Sequence, residues 1–210
     1  MNRVFSAACL FALALVPLTA AVSAEINFTP TIDRYMSEGA EYANASFKDG
    51  KKNVSIAVPR TWSCRGDAAR LQFIPPNQSF AEGIIQSVPT KTVIRFDEPT
   101  VKAIEQQVLA ELPPGSQDAK VVAQQENPVL LNQNLSYEFT VTYKTVGQTF
   151  LRNVVIVSCP EQALIFKFTA PKAVFDGLNH SFRQSIYSWH WTDPEPAKTA
   201  TAVVQNTVQK

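Results

Sequence analysis

The sequence predicts an α+β fold: a single-domain α/β/α sandwich whose central, largely antiparallel sheet of six or seven strands is covered by helices on both faces. Three observations carry this expectation. The strand Phe150–Ser158 is apolar on two sides, with Val154 and Ile156 on one face and Leu151, Val155 and Val157 on the other. A sheet apolar on both faces must be covered on both. Two segments, Glu98–Leu112 and Lys172–Trp189, carry apolar residues at helical spacing and are the available cover.

Residues 1–24 read as a signal peptide. Arg3 gives a positive start, Val4–Val16 is almost uninterruptedly apolar, and Val22-Ser23-Ala24 has the small-x-small cleavage pattern. The apolar run falls short of the roughly 20 residues that a bilayer span needs. The chain is therefore expected to be exported, to the periplasm or the medium, with no membrane span after processing. The full sequence has 19 basic and 18 acidic residues. Loss of Arg3 leaves a balance of zero, which argues against nucleic acid as a partner and equally against docking by charge on an anionic membrane.

Residues 25–40 form a lead-in, with a short helix expected around Ile32–Met36. Tyr42–Phe47 and Val54–Val58 form a hairpin around Lys48-Asp49-Gly50-Lys51, because Asp-Gly tolerates positive φ. Leu71–Ile74 is a strand stopped by Pro75-Pro76, and Ile84–Val88 and Val93–Phe96 are further strands. In Glu98–Leu112 the residues Val101, Ile104, Val108 and Leu112 form the stripe, widened by Leu109, and Pro113-Pro114-Gly115 ends it. Lys120–Gln125 is a strand. Leu135–Tyr143 alternates, with Leu135, Tyr137, Phe139, Val141 and Tyr143 opposite Ser136, Glu138, Thr140 and Thr142. Gly147 turns the chain into Phe150–Ser158, and Pro160-Glu161 turns it into Leu164–Thr169. The last helix carries Phe175, Leu178, Phe182, Ile186 and Trp189 on one face. The domain ends near residue 191, and residues 192–210 read as a disordered tail without periodicity.

This order of elements resembles the PsbP-like superfamily, whose members include PsbP, the extrinsic subunit of photosystem II, Mog-type Ran-binding proteins and bacterial DcrB lipoproteins. The matching pieces are Val54–Trp62, the helix Glu98–Leu112, and the strand–strand–Ala170-Pro171-Lys172–helix block, within residues 53–191. The resemblance implies a sheet sandwiched between helices and a role in binding, stabilising or assembling other components. It carries over no binding residue.

Cys64 and Cys159 remain once the signal is removed, and two cysteines in an exported chain usually pair. A bridge closing that loop stabilises by up to about 4–5 kcal/mol in the chain-entropy account. The alternative is two separate buried thiols. Asp176 and His180 stand at i, i+4 but no second pair adds ligands, so no metal and no cofactor are expected. His190 lies between Trp189 and Trp191, and with Trp62 these aromatics are candidates for a ligand platform; Trp189 also continues the core stripe. Glu138, Thr140 and Asn153 come together if the central strands pair as a hairpin. They are either a satisfied buried network or a ligand or partner contact. Asn27, Asn44, Asn53, Asn77, Asn134 and Asn179 stand in Asn-x-Ser/Thr contexts, most of them explained by composition. There is no G-x-S-x-G turn and no phosphate-cradling glycine loop. The expectation is a non-enzymatic binding or assembly protein of the cell envelope with a protein partner. The alternatives are a small-ligand or glycan binder using the aromatic cluster, and a secreted hydrolase without a recognisable motif.

Overall fold

The computed structural model describes residues 26–193. The expected signal peptide and the tail beyond Asp193 lie outside the described residues. The strands are β1 (Asn27–Ser37), β2 (Ala40–Asp49), β3 (Lys52–Val58), β4 (Ser63–Gly66), β5 (Arg70–Ile74), β6 (Glu82–Pro89), β7 (Gln117–Glu126), β8 (Ser136–Thr145), β9 (Gln148–Cys159), β10 (Gln162–Pro171) and β11 (His190–Thr192). The helices are α1 (Glu98–Ala110) and α2 (Phe175–Tyr187). Seven strands form an antiparallel sheet in the order β4-β5-β6-β10-β9-β8-β7, and four form a second in the order β1-β2-β3-β11.

The predicted α/β/α sandwich does not form. Strands hold 55% of the structure and helices only 15%, and a second sheet does much of the covering that was assigned to a helix. The cause lies in residues 27–58. Ile32–Met36, expected as a short helix, is part of β1, paired residue by residue with β2 from Thr31↔Ser46 to Ser37↔Ala40. Phe28, Ala45, Phe47, Val54, Ile56 and Val58 of this small sheet are buried against Leu71, Phe73, Ile85, Leu164, Phe166 and Phe168 of the large one. The expected strand Val93–Phe96 has no ladder; it is an extended lead into α1.

The two-sided character of β9 is realised. Val154 and Ile156 join Phe139, Val141 and Tyr143 in the layer under α1, into which Val108 and Leu112 are packed. Val155 and Val157 face the other way, into the layer closed by the small sheet and α2. Asp97 caps α1, its carboxylate accepting the Thr100 N–H at 3.0 Å. Helix α2 is seated by Phe182, which meets Phe73 edge-on at 5.7 Å and Phe168 at 5.5 Å. Its C-terminal end is tied to the small sheet, since Ser188 Oγ accepts the Ala57 N–H at 2.7 Å. Trp189 then bridges the two sheets, 5.5 Å from Phe47 and 5.5 Å from Phe166.

Among the described residues Cys64 and Cys159 are not bridged, and the expected disulfide between them is absent. The pairings Cys64↔Phe73, Phe73↔Gly83, Gly83↔Phe168 and Phe168↔Asn153 place Cys64 four strands from β9, at a level six residues from Cys159. That is about 19 Å across the sheet and about 20 Å along it. A disulfide needs Cα atoms within about 7 Å. Burial pushes the Cys64 thiol up to about 12. Burial, with the nearby Asp49 charge, pushes Cys159 up to about 11.

Candidate functional sites

Three surfaces gather polar or aromatic groups. The first lies beside α2, where the register Thr140↔Asn153 and Glu138↔Val155 puts three polar side chains on the face turned toward the helix. Asn153 Nδ2 donates to Glu138 Oε1 and, at 3.3 Å, to Thr140 Oγ1. The structure thus brings together the three residues that the strand pattern groups. Arg183, which sequence reasoning missed, reaches from α2 to pair with Glu138 Oε1 and lies 3.4 Å from the Tyr187 hydroxyl. Its signal was the i, i+4, i+8 row Asn179, Arg183, Tyr187 along the border of the apolar stripe. Glu138 is only 7% exposed, so this is a buried charge pair that fixes α2 on the sheet. Glu138 Oε2 has no hydrogen-bond partner among the described residues. A larger cleft of about 820 Å³ opens further along the same face, lined by Lys120, Val122, Thr142, Leu151 and Lys172. Asp118 and Lys144 pair across its rim at 2.8 Å.

The second surface is a ribbon. The last β2–β3 pair is Ala43↔Val58, so the β1–β2 hairpin from Tyr35 to Tyr42 runs on beyond the sheet. Its tip is a two-residue turn with both central residues at positive φ, Glu38 at 51° and Gly39 at 75°, the geometry that suits tight hairpins. Tyr35 and Tyr42 pair across the ribbon with rings 5.6 Å apart and are 48% and 42% exposed, and Met36 is 68% exposed. A cleft of about 390 Å³ beneath is lined by Arg34, Tyr42, Arg60 and Trp62 among others.

The third surface is a cleft of about 520 Å³ where the β2–β3 turn, the β9–β10 turn, the loop at Asn132–Asn134 and β11 converge. Trp191 lines it. The indole Nε1 donates to Asp49 Oδ2 at 2.8 Å, and Gln162 Nε2 stands 3.2 Å from the same oxygen.

The three tryptophans therefore do not form one platform. Trp62 is buried, stacked on Phe168 at 5.9 Å. Trp189 is buried two residues along β10, at Phe166. Trp191 packs on Trp189 at 5.4 Å and alone of the three reaches the Asp49 cleft. His180 and His190 are exposed, and neither lines the clefts described here. Among the described residues no three His, Cys, Asp or Glu side chains converge as a metal site. No helix among them is long and apolar enough to cross a membrane.

No protein-family model matches the sequence, and no curated protein does. Among solved structures, the chain is similar to PA94 of Pseudomonas aeruginosa, a protein of unknown function, at 13% identity and a TM-score of 0.43, over 79% of this chain and 98% of that one. It is similar to LpqN, described as involved in cell envelope biogenesis of Mycobacterium tuberculosis, at 14% identity and a TM-score of 0.46, over 78% and 91%. It is also similar to a cyanobacterial PsbP from Synechocystis sp. PCC 6803, at 10% identity and a TM-score of 0.42, over 85% and 99%. A PsbP is thus among the structural neighbours of a chain whose sequence resembles the PsbP-like superfamily. At these values the likenesses carry no conclusion about fold or function.

Proposed function

We propose that this is an exported, non-enzymatic binding or assembly protein of the cell envelope, and that it docks a protein partner on the ribbon end of the small sheet. The observation that carries the reading is the ribbon itself. A two-stranded hairpin is marginal in water on its own, yet this one projects past the sheet with Tyr35, Met36 and Tyr42 in solvent. The exposed residues around it, Arg34, Arg60 and Tyr42, are of the types that dominate binding energy at protein interfaces. The apolar leader at residues 1–24 supports export. Balanced charge favours a protein partner over nucleic acid.

Mild crosslinking in the native envelope, followed by affinity capture and mass spectrometry, tests the reading. A dominant partner that disappears when Tyr35 and Tyr42 are both changed to serine is expected. Undiminished capture by that variant would place the interface elsewhere and sink the proposal.

A further inference from the structure

We propose that the cleft floored by Trp191 and Asp49 binds a neutral carbohydrate, a function separate from protein docking on the ribbon. The first ground is a fixed aromatic surface. Trp191 is held by the β11–β3 pairing with Val54, by its contact with Trp189, and by its hydrogen bond to Asp49. A flat indole face carries negative partial charge, and the C–H groups on one face of a pyranose ring carry the complementary positive charge.

The second ground is an acceptor oriented before any ligand arrives. Ser87 Oγ donates to Gln162 Oε1 at 2.7 Å, which settles the amide so that Nε2 faces Asp49. The Asp49 carboxylate is thereby held from two sides. A carboxylate has about four lone-pair positions, so capacity remains for vicinal hydroxyl groups. Asn134 spends one amide N–H on the Leu131 carbonyl at 2.9 Å, leaving its Oδ1 and second N–H for a ligand. Its neighbours Asn132 and Gln133 are both left-handed, with φ of 49° and 63°, which shapes the loop over the cleft. Paired acceptors and donors beside an aromatic ring suit a polyol that both gives and takes hydrogen bonds.

The third ground is charge. Lys51 and Lys52 on the lining are matched by Asp49 and Glu161, so the cleft favours neither an anion nor a cation. Its volume of about 520 Å³ falls in the small-ligand range of about 300–1,000 Å³.

The test is a two-dimensional NMR titration of the purified protein, following the Trp191 indole N–H. The panel comprises glucose, galactose, mannose, N-acetylglucosamine and their linear trimers, with glucuronic acid and glucosamine as charged comparators. A saturable displacement by a neutral sugar is expected. Asp49→Ala, and independently Asn134→Ala, should weaken it about tenfold or more. The Tyr35→Ser/Tyr42→Ser variant should bind the sugar normally, so the two proposals fail separately. No displacement by any neutral sugar, tighter binding of a charged comparator, or unchanged affinity in both cleft variants would overturn the inference.

Discussion

Gly83 is where the packing of α2 on the large sheet is most sharply testable. A Cβ at this position would stand 2.5 Å from Cε2 and 2.6 Å from Cδ2 of Phe182. Carbon atoms rest at about 3.5–4.0 Å, so the ring would have to retreat by about 1 Å. It has nowhere to go: Phe182 is 1% exposed and wedged between Phe73 and Phe168. Gly83→Ala must therefore tilt the ring out of its rotamer or lift α2. Overpacking of this kind costs about 1–3 kcal/mol, partly offset by about 0.4–1 kcal/mol because alanine narrows the unfolded ensemble. Urea unfolding should show a lower midpoint at unchanged slope, and the melting temperature should fall by a few degrees, at about 2–4 °C per kcal/mol. Phe182→Leu should be less damaging in the Gly83→Ala background than alone, with a coupling of about 0.5–3 kcal/mol. A Gly83→Ala protein that unfolds at or above the wild-type midpoint would refute the seating of α2 described here.

Gly177 provides the opposite case: nothing lies within 4 Å of its added Cβ, so Gly177→Ala should stabilise by about 0.5–1 kcal/mol in the same urea assay. Arg183→Leu leaves the Glu138 carboxylate buried without its counter-charge and should cost about 3 kcal/mol, while Glu138→Leu/Arg183→Leu should regain most of that loss in a double-mutant cycle. Cys64 and Cys159 should resist iodoacetamide at pH 8 in the folded protein and label fully in denaturant. Their folded-state values, raised by burial to about 12 and about 11, mean that the unfolded chain ionises first. Their contribution is therefore intact below about pH 8.5, the ordinary thiol value, and is lost as pH climbs toward 11–12, which denaturant titrations across that window would record. Oxidation of the folded protein should yield no intramolecular link on non-reducing mass analysis.

Much of the large sheet was legible in the sequence. Strict alternation fixed Tyr137, Phe139, Val141 and Tyr143 on one face of β8, and the same period grouped Glu138, Thr140 and Asn153. Asn153 was predicted to sit near Glu138 from register alone, and it does. The small sheet was harder to see because Ile32 and Met36 fit an i, i+4 helical spacing as well as a strand, and pairing with β2 decided between them. Without β1 the segment before residue 58 reads as a lone hairpin, too narrow to cover a sheet, so that face is assigned to α2 alone; in the structure the small sheet shares it with α2, and the fold is not an α/β/α sandwich. Strand β4, with four residues, and β11, with three, are held by their neighbours rather than by local preference. The cysteine pairing failed for a related reason, since composition gives no information on the four strands that separate the thiols. Arg183 was hidden because its partner lies 45 residues away on another element.

The most direct test of the docking proposal places a photo-crosslinking amino acid at Tyr42 and, in a parallel strain, at Val146. Val146 is 87% exposed at the β8–β9 turn and belongs to none of the three surfaces. On irradiation of the intact envelope, the Tyr42 probe should trap one defined protein adduct, and the Val146 probe should trap none. No adduct at Tyr42, or the same adducts at both positions, would contradict the proposal that this ribbon is where the protein meets its partner.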